Sequence, residues 1–242
     1  MLIGKDIYKA YGGKKVLTGV NASIEPGQIA VLIGPSGMGK STLLRALSLL
    51  DPPDKGTVTV EGTVYTYPGE NNGSIPMPWP KLTVVFQQLF LWPHLTIRKN
   101  IALPLAMANG DIKNDGMDEF ITLFEMETFV DRYPNEVSLG QRQLAAIARA
   151  IALEPKYLLL DEITSALDVE YVSKVLGCLK RLRERGMGIL LITHLIGFAK
   201  SAADQVIFLD NGKIIESGKP DILSSPKSKR LAEFLSLVDT AI

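Results

Sequence analysis

Ile29-Ala30-Val31-Leu32-Ile33-Gly34-Pro35-Ser36-Gly37-Met38-Gly39-Lys40-Ser41-Thr42-Leu43-Leu44 is the stretch on which the fold turns. An unbroken apolar run with β-branched residues at alternate positions and no polar alternation describes a strand covered on both faces. A glycine-rich turn follows, and helical spacing then runs over residues 41–50. Strand, turn and helix in that order gather backbone N–H groups and a helix N-terminus around one point, which makes a cradle for an anion. Gly34 to Ser41 fits G-x-x-x-x-G-K-[ST]. Its glycines let amides approach a β-phosphate, Lys40 can bridge β- and γ-phosphates, and the Ser41 hydroxyl can ligate Mg²⁺. The expectation is a site for a nucleoside triphosphate.

Further along the chain, Leu158-Leu159-Leu160-Asp161-Glu162 is an apolar strand ending in two acids. In the same sheet as residues 29–33, it delivers Asp161 beside the phosphate loop to hold Mg²⁺, and Glu162 near the γ-phosphate to orient and deprotonate water. Residues 188–192 read as another buried strand, and 168–185 as an amphipathic helix closed by Gly186. Short apolar runs alternating with helical segments define an α/β fold with a largely parallel sheet. Residues 2–24 and 56–64 alternate more and predict an antiparallel sheet. Residues 67–80, rich in proline and glycine, predict an irregular surface loop. Residues from about 94 to 152 are mostly helical and read as an insertion between two strand regions.

Bulk composition narrows the function. Lys plus Arg and Asp plus Glu both total 26, a formal net charge of zero, which argues against a nucleic-acid binder held by backbone charge. Cys178, the single cysteine, cannot form an intrachain disulfide and reads as a small buried hydrophobe. Apolar runs fall far short of the roughly 20 residues that span a bilayer. The first residues do not resemble a signal peptide, and a single cysteine fits a reducing cytoplasm.

Phosphate loops serve kinases, GTPases and motors alike, so the features above do not by themselves name a function. Glu136-Val137-Ser138-Leu139-Gly140-Gln141-Arg142-Gln143, upstream of Asp161, resembles the LSGGQ signature of ABC ATPases. Ser165-Ala166-Leu167-Asp168 is similar to that family's D-loop, and Ile192-Thr193-His194 to its switch histidine. Phe86-Gln87 with the following 91–96 segment is similar to the Q-loop of importer subunits, and Tyr11 matches the aromatic that stacks on adenine. These motifs keep the family's order from Tyr11 to His194, and the likeness continues through Asp210-Asn211-Gly212-Lys213.

The resemblance implies a P-loop NTPase (RecA-like) α/β core with an N-terminal antiparallel β-subdomain and an inserted α-helical subdomain. The whole of 1–242 is then one ATPase domain, with 88–155 helical and carrying the signature. It implies ATP and Mg²⁺ as ligands. Tyr11, Gly34, Pro35, Ser36, Gly37, Met38, Gly39, Lys40, Ser41 and Thr42 would bind the nucleotide, and Ser41, Gln87 and Asp161 the metal. Glu162, His194 and Gln87 would be catalytic. Ser138, Gly140, Gln141 and Asp168 would act on the nucleotide across a dimer of ATPase subunits.

Transmembrane permease subunits and an extracytoplasmic substrate-binding protein are the other implied partners, with the chain peripheral on the inner face of the membrane. The 225–235 tail and residues 198–204 are similar to those of polar amino acid importers. An exporter or lipoprotein-release ATPase, a non-transport ABC ATPase and a regulatory nucleotide-binding protein are the alternatives. The sequence departs from the family pattern at Val137, Leu139, Ile163 and Leu195. Were φ positive at Leu139, a side chain there would cost roughly 1–2 kcal/mol.

Overall fold

A computed structural model describes residues 1–69, 76–109, 117–164 and 169–239. Residues 165–168, which include the D-loop-like segment and Asp168, lie outside the described residues, as does part of the 67–80 loop.

Strands β1 (Leu2–Tyr11), β2 (Lys14–Ile24), β4 (Lys55–Val60) and β5 (Thr63–Tyr67) form an antiparallel sheet in the order β2-β1-β4-β5. The sequence placed an antiparallel sheet here, and within it the 56–64 segment opens a hairpin of β4 and β5. Glu61 and Gly62 both take positive φ, 48° and 81°, as a tight two-residue hairpin turn requires.

The second sheet runs β10-β9-β3-β8-β7-β6, built from β3 (Ile29–Ile33), β6 (Leu82–Val85), β7 (Tyr157–Asp161), β8 (Gly188–Ile192), β9 (Gln205–Asp210) and β10 (Lys213–Gly218). All its pairings are parallel except β9 with β10. Every residue of β3, β7 and β8 is buried, as their unbroken apolar runs require. The pleat sends alternate side chains to opposite faces. Ile29, Val31 and Ile33 enter one buried cluster, with helices α2 (Ile97–Asn109), α3 (Met117–Leu123), α4 (Leu139–Ile151), α5 (Val169–Glu184), α6 (Ile196–Ala202) and α7 (Lys229–Asp239). Ala30 and Leu32 enter the other, with helix α1 (Lys40–Leu47) and the antiparallel sheet. Burying apolar area on both faces of one sheet, at about 25 cal/mol per Å², is what holds these layers together.

Helix α1 ends earlier than its sequence spacing suggests. Leu49 takes φ 60°, which stops the helix and turns Leu50 and Asp51 back towards the ends of the strands. Buried Asn100 ties down the segment entering α2: its amide donates to the carbonyls of Trp92, Leu95 and Thr96 and accepts from the Trp92 N–H. Cys178 is buried and unpaired with another cysteine, and burial pushes its thiol up to about 11.

Candidate functional site

The register of the parallel sheet decides where the chemistry gathers. Leu32 of β3 and Asp161 of β7 both pair with Ile192 of the intervening β8. The chain therefore leaves all three strands along one edge, so the phosphate loop, Glu162 and His194 emerge side by side. Parallel sheets bind ligands at this carboxyl edge.

The loop from Gly34 to Gly39 wraps over this edge. A Cβ at Gly34 would lie 2.0 Å from the Leu209 carbonyl oxygen of β9, so only glycine lets the loop start this close to the sheet. Gly39 ends the loop at φ 102°, a left-handed turn that aims the first amides of α1 inward. Lys40 folds back across the mouth, its ammonium donating to the Gly34 and Pro35 carbonyls at 2.8 and 2.9 Å. Burial lowers its pKa from the ordinary 10.5, against the pull of Glu162 and Asp161. Met38 is bonded from below, its carbonyl accepting from the Gly212 N–H at 3.3 Å.

At the second residue of α1, the Ser41 hydroxyl donates to Asp161 at 3.1 Å. Burial raises the Asp161 pKa above its ordinary value, and the Ser41 hydrogen bond only partly opposes this. Ser41, Asp161, Gln87, Arg45 and Asp51 line a polar cleft of about 490 Å³. Arg45 and Asp51 are members the sequence reading missed; Arg45 stands one helical turn after Ser41 and so had a legible signal.

Glu162 takes φ 50°, a left-handed conformation uncommon outside glycine, while its N–H still donates to Ile192 at 3.0 Å. Such strain persists where neighbours over-determine it and clusters at functional sites. The neighbour here is His194, whose Nε2 lies 2.6 Å from the Glu162 carboxylate. Thr193, buried beside it, fixes the chain: its hydroxyl accepts from the Leu195 N–H and bonds to Thr164 at 3.2 Å.

The signature-like segment forms the start of α4. Ser138 caps the helix, accepting from the Gln141 N–H at 3.2 Å, while the Gln141 side chain accepts from the Ser138 N–H at 2.9 Å. The Ser138 hydroxyl thus keeps its own hydrogen to donate. Leu139 is the first helical residue and is absent from the positive-φ positions, so its side chain carries no left-handed strain. A Cβ at Gly140 would meet the Tyr171 ring at 2.6 Å. The requirement for glycine at 140 is therefore one of packing against α5. Val137 and Ile163 are both core residues, 8% and 0% exposed, which accounts for their apolar character. Leu195 is half-exposed at the start of α6, and nothing in the structure explains it.

Beside the polar cleft runs an apolar groove of about 430 Å³, lined by Trp79, Phe90, Trp92, Leu103, Met107 and Arg149 among others. Phe90 and Met107 are 62% and 77% exposed. Arg149 of α4 donates to the Leu89 and Phe90 carbonyls, both at 2.7 Å, and so ties the signature helix to the segment following Gln87. Among the described residues no helix is long and apolar enough to cross a membrane.

A phosphate loop at the carboxyl edge of a parallel sheet, with a serine, two acids and a histidine converging on it, defines a P-loop ATPase. The profile of the ABC transporter family matches residues 17–165. The chain is 39% identical to the arginine transport ATP-binding protein ArtM of Bacillus subtilis, over 98% of this chain and 100% of that one. It is also 39% identical to the glutamine transport ATP-binding protein GlnQ of Escherichia coli, over 98% and 100%. A solved dimeric structure of the ATP-binding cassette MJ0796, in a post-hydrolysis state bound to ADP and Pi, superposes with a TM-score of 0.79 at 32% identity, covering 91% of this chain and 99% of that one. This chain belongs to the ABC transporter family, as an ATP-binding subunit that hydrolyses ATP.

Proposed function

We propose that the chain powers import of polar amino acids, as a pair of copies working beneath a separate membrane permease on the inner face of the membrane. The observation that carries this reading is the convergence of Ser41, Asp161, Glu162 and His194 on one phosphate loop. The transport of arginine and glutamine in the names of its relatives supports the cargo class. An extracytoplasmic binding protein would deliver that cargo to the permease. The division into a core and a helical subdomain at 88–155 belongs to the same reading, with Arg149 holding the start of that subdomain to its signature helix.

Lys40 and the loop amides from Gly34 to Thr42 would hold the triphosphate, with the exposed ring of Tyr11 against the base. The cleft suits Mg²⁺: a hydroxyl and a carboxylate stand 3.1 Å apart, both hard oxygen donors, and the buried Asp161 charge lacks a full counterbalance. Ser41 and Asp161 would hold the ion, with Gln87 reaching it from the same cleft. When bound, Mg²⁺ offsets charge on the β- and γ-phosphate oxygens.

Glu162 would take the proton of the attacking water, which Gln87 helps orient, while His194 holds the carboxylate and faces the γ-phosphate. The Ser138 hydroxyl and the first-turn amides at Leu139 and Gly140, which have no partner within their own helix, would cap the γ-phosphate of a second copy. Gln141 would act indirectly by holding Ser138, and Asp168 would contact the other copy. Hydrolysis then removes the group that joins the two copies. The apolar groove beside Gln87 suits a permease segment, since an exposed apolar surface of this kind marks a docking site.

Reconstitution of the chain with its permease and binding protein in liposomes tests this reading. ATP hydrolysis is expected to rise with the cognate amino acid outside, together with its uptake. Efflux of the amino acid, or hydrolysis indifferent to permease and cargo, would overturn the assignment.

A further inference from the structure

Tyr11 meets two side chains at the rim of the phosphate cradle, Asp51 and Lys9, that have no part in the chemistry above. Tyr11, at the tip of the β1–β2 hairpin, donates its phenol hydrogen to an Asp51 oxygen. Lys9, on the same strand, places its ammonium 2.5 Å from the other Asp51 oxygen and donates to the Pro52 carbonyl at 2.6 Å. That ammonium also lies 5.5 Å from the centre of the Tyr11 ring. The Lys9 side chain is only 10% exposed, so this is not a loose surface pair. The 51–54 segment is stitched to β1 in both directions: Ala10 N–H donates to Asp54 at 2.7 Å, and Asp54 N–H to the Tyr8 carbonyl at 2.9 Å. Tyr11 nonetheless remains 45% exposed. Its far edge is anchored while much of the ring stays open.

An aromatic side chain on a hairpin tip otherwise spreads over several rotamers, and ordering it on binding weakens affinity. Anchoring the hydroxyl removes that loss ahead of binding. We infer that Asp51, backed by Lys9, is a positioning residue that locks the Tyr11 ring in the orientation that receives the nucleobase. The early end of α1 is what makes this geometry available, since continuing the helix through Leu49 would carry Asp51 away from β1. The inference rests on Tyr11 as the base-stacking group, a reading that Tyr11→Ala tests by itself.

The decisive variants are Tyr11→Phe, which keeps the ring and loses the hydroxyl's bonds to Asp51 and Thr42, and Asp51→Asn, which keeps the shape and loses the charge. Affinities of the purified full chain for Mg-ATP and for Mg-tripolyphosphate, which has no base, are measured for each. Both variants are expected to weaken ATP roughly two- to tenfold, the ordering loss of one side chain. Tripolyphosphate affinity stays unchanged, and the double variant is no weaker than either single one. Tyr11→Phe binding ATP as tightly as the parent or tighter, while Tyr11→Ala is impaired, would overturn the positioning role and leave the stacking role standing. Tyr11→Ala with unaltered ATP affinity would remove the stacking role and this inference with it. Equal weakening of ATP and tripolyphosphate in Asp51→Asn would mean that Asp51 supports the cradle and not the ring, and would also overturn it.

Discussion

The Glu162 carboxylate and the His194 Nε2 lie 2.6 Å apart, joined across the ends of adjacent strands β7 and β8. Each residue follows a buried strand by one or two positions, and the left-handed turn at Glu162 is what swings its carboxylate towards the imidazole. The proposed roles of the two residues in hydrolysis can be separated by substitution. A positioned base contributes about 10²–10⁴-fold to rate. Glu162→Gln is therefore expected to slow single-turnover hydrolysis by roughly that factor while preserving ATP affinity. Rapid-quench measurement at saturating Mg-ATP reads this directly, and an unchanged rate would remove Glu162 from the base role. His194→Ala should slow the same step through a less ordered Glu162, with little further loss in the double variant.

Asp161, the proposed metal ligand, is a buried acid whose charge opposes folding. Burial raises its pKa in the folded chain, so the ionised form opposes folding at neutral pH. A raised folded pKa contributes stability only below the unfolded value and loses it as pH rises through the folded one. Asp161→Asn is expected to stabilise the nucleotide-free chain at pH 7 by roughly 0.5–2 kcal/mol, a common yield at strained functional sites. The gain should vanish below the unfolded carboxylate pKa, and Mg²⁺ should no longer tighten ATP binding. Thermal unfolding across pH checks the first part, and titration with and without Mg²⁺ the second.

Lys40 leads to an alkaline signature. Its pKa is lowered by burial from 10.5, and a bound triphosphate favours the charged form. Between the lowered value and the bound one, ATP binding must take up a proton, and affinity must fall as pH rises through that window. ATP itself is fully ionised there. Calorimetry in buffers of different ionisation enthalpy reports the uptake, whose absence would show that Lys40 stays charged throughout.

Leu139→Gly and Gly140→Ala are both expected to destabilise the chain, the first through helix propensity and the second through packing. Leu139→Gly restores the common signature residue but puts glycine in the first turn of a helix, costing up to about 1 kcal/mol. Gly140→Ala drives a methyl group into the Tyr171 ring at 2.6 Å, and overpacking of this kind costs roughly 1–3 kcal/mol. Denaturant unfolding of the two variants separates these values; a harmless Gly140→Ala would mean that Tyr171 yields easily.

Met107, 77% exposed on α2, faces the apolar groove. Met107→Glu places a charge where an apolar permease segment would have to desolvate it. Stability should change by no more than about 0.5 kcal/mol, as for most surface positions. Permease-stimulated hydrolysis should be largely lost, measured in reconstituted liposomes against the parent. Full stimulation would move the permease contact elsewhere.

Local pattern determined much of this protein. The unbroken apolar runs at β3, β7 and β8 announce strands covered on both faces, and the glycine spacing from Gly34 to Gly39 announces a phosphate loop, because both follow from short-range sterics and burial. The order of motifs from Tyr11 to His194 was enough to identify the family. Tertiary structure alone decided the contacts between distant segments. The sequence left open whether Leu139 is strained, and the helix start at that residue resolves it. The packing of Tyr171 against Gly140, the Asp51 anchor of Tyr11 and the Arg149 tie to residues 89 and 90 join positions 31, 40 and about 60 residues apart. No periodicity reports such pairs, since they depend on where whole elements dock and on how α1 stops at Leu49.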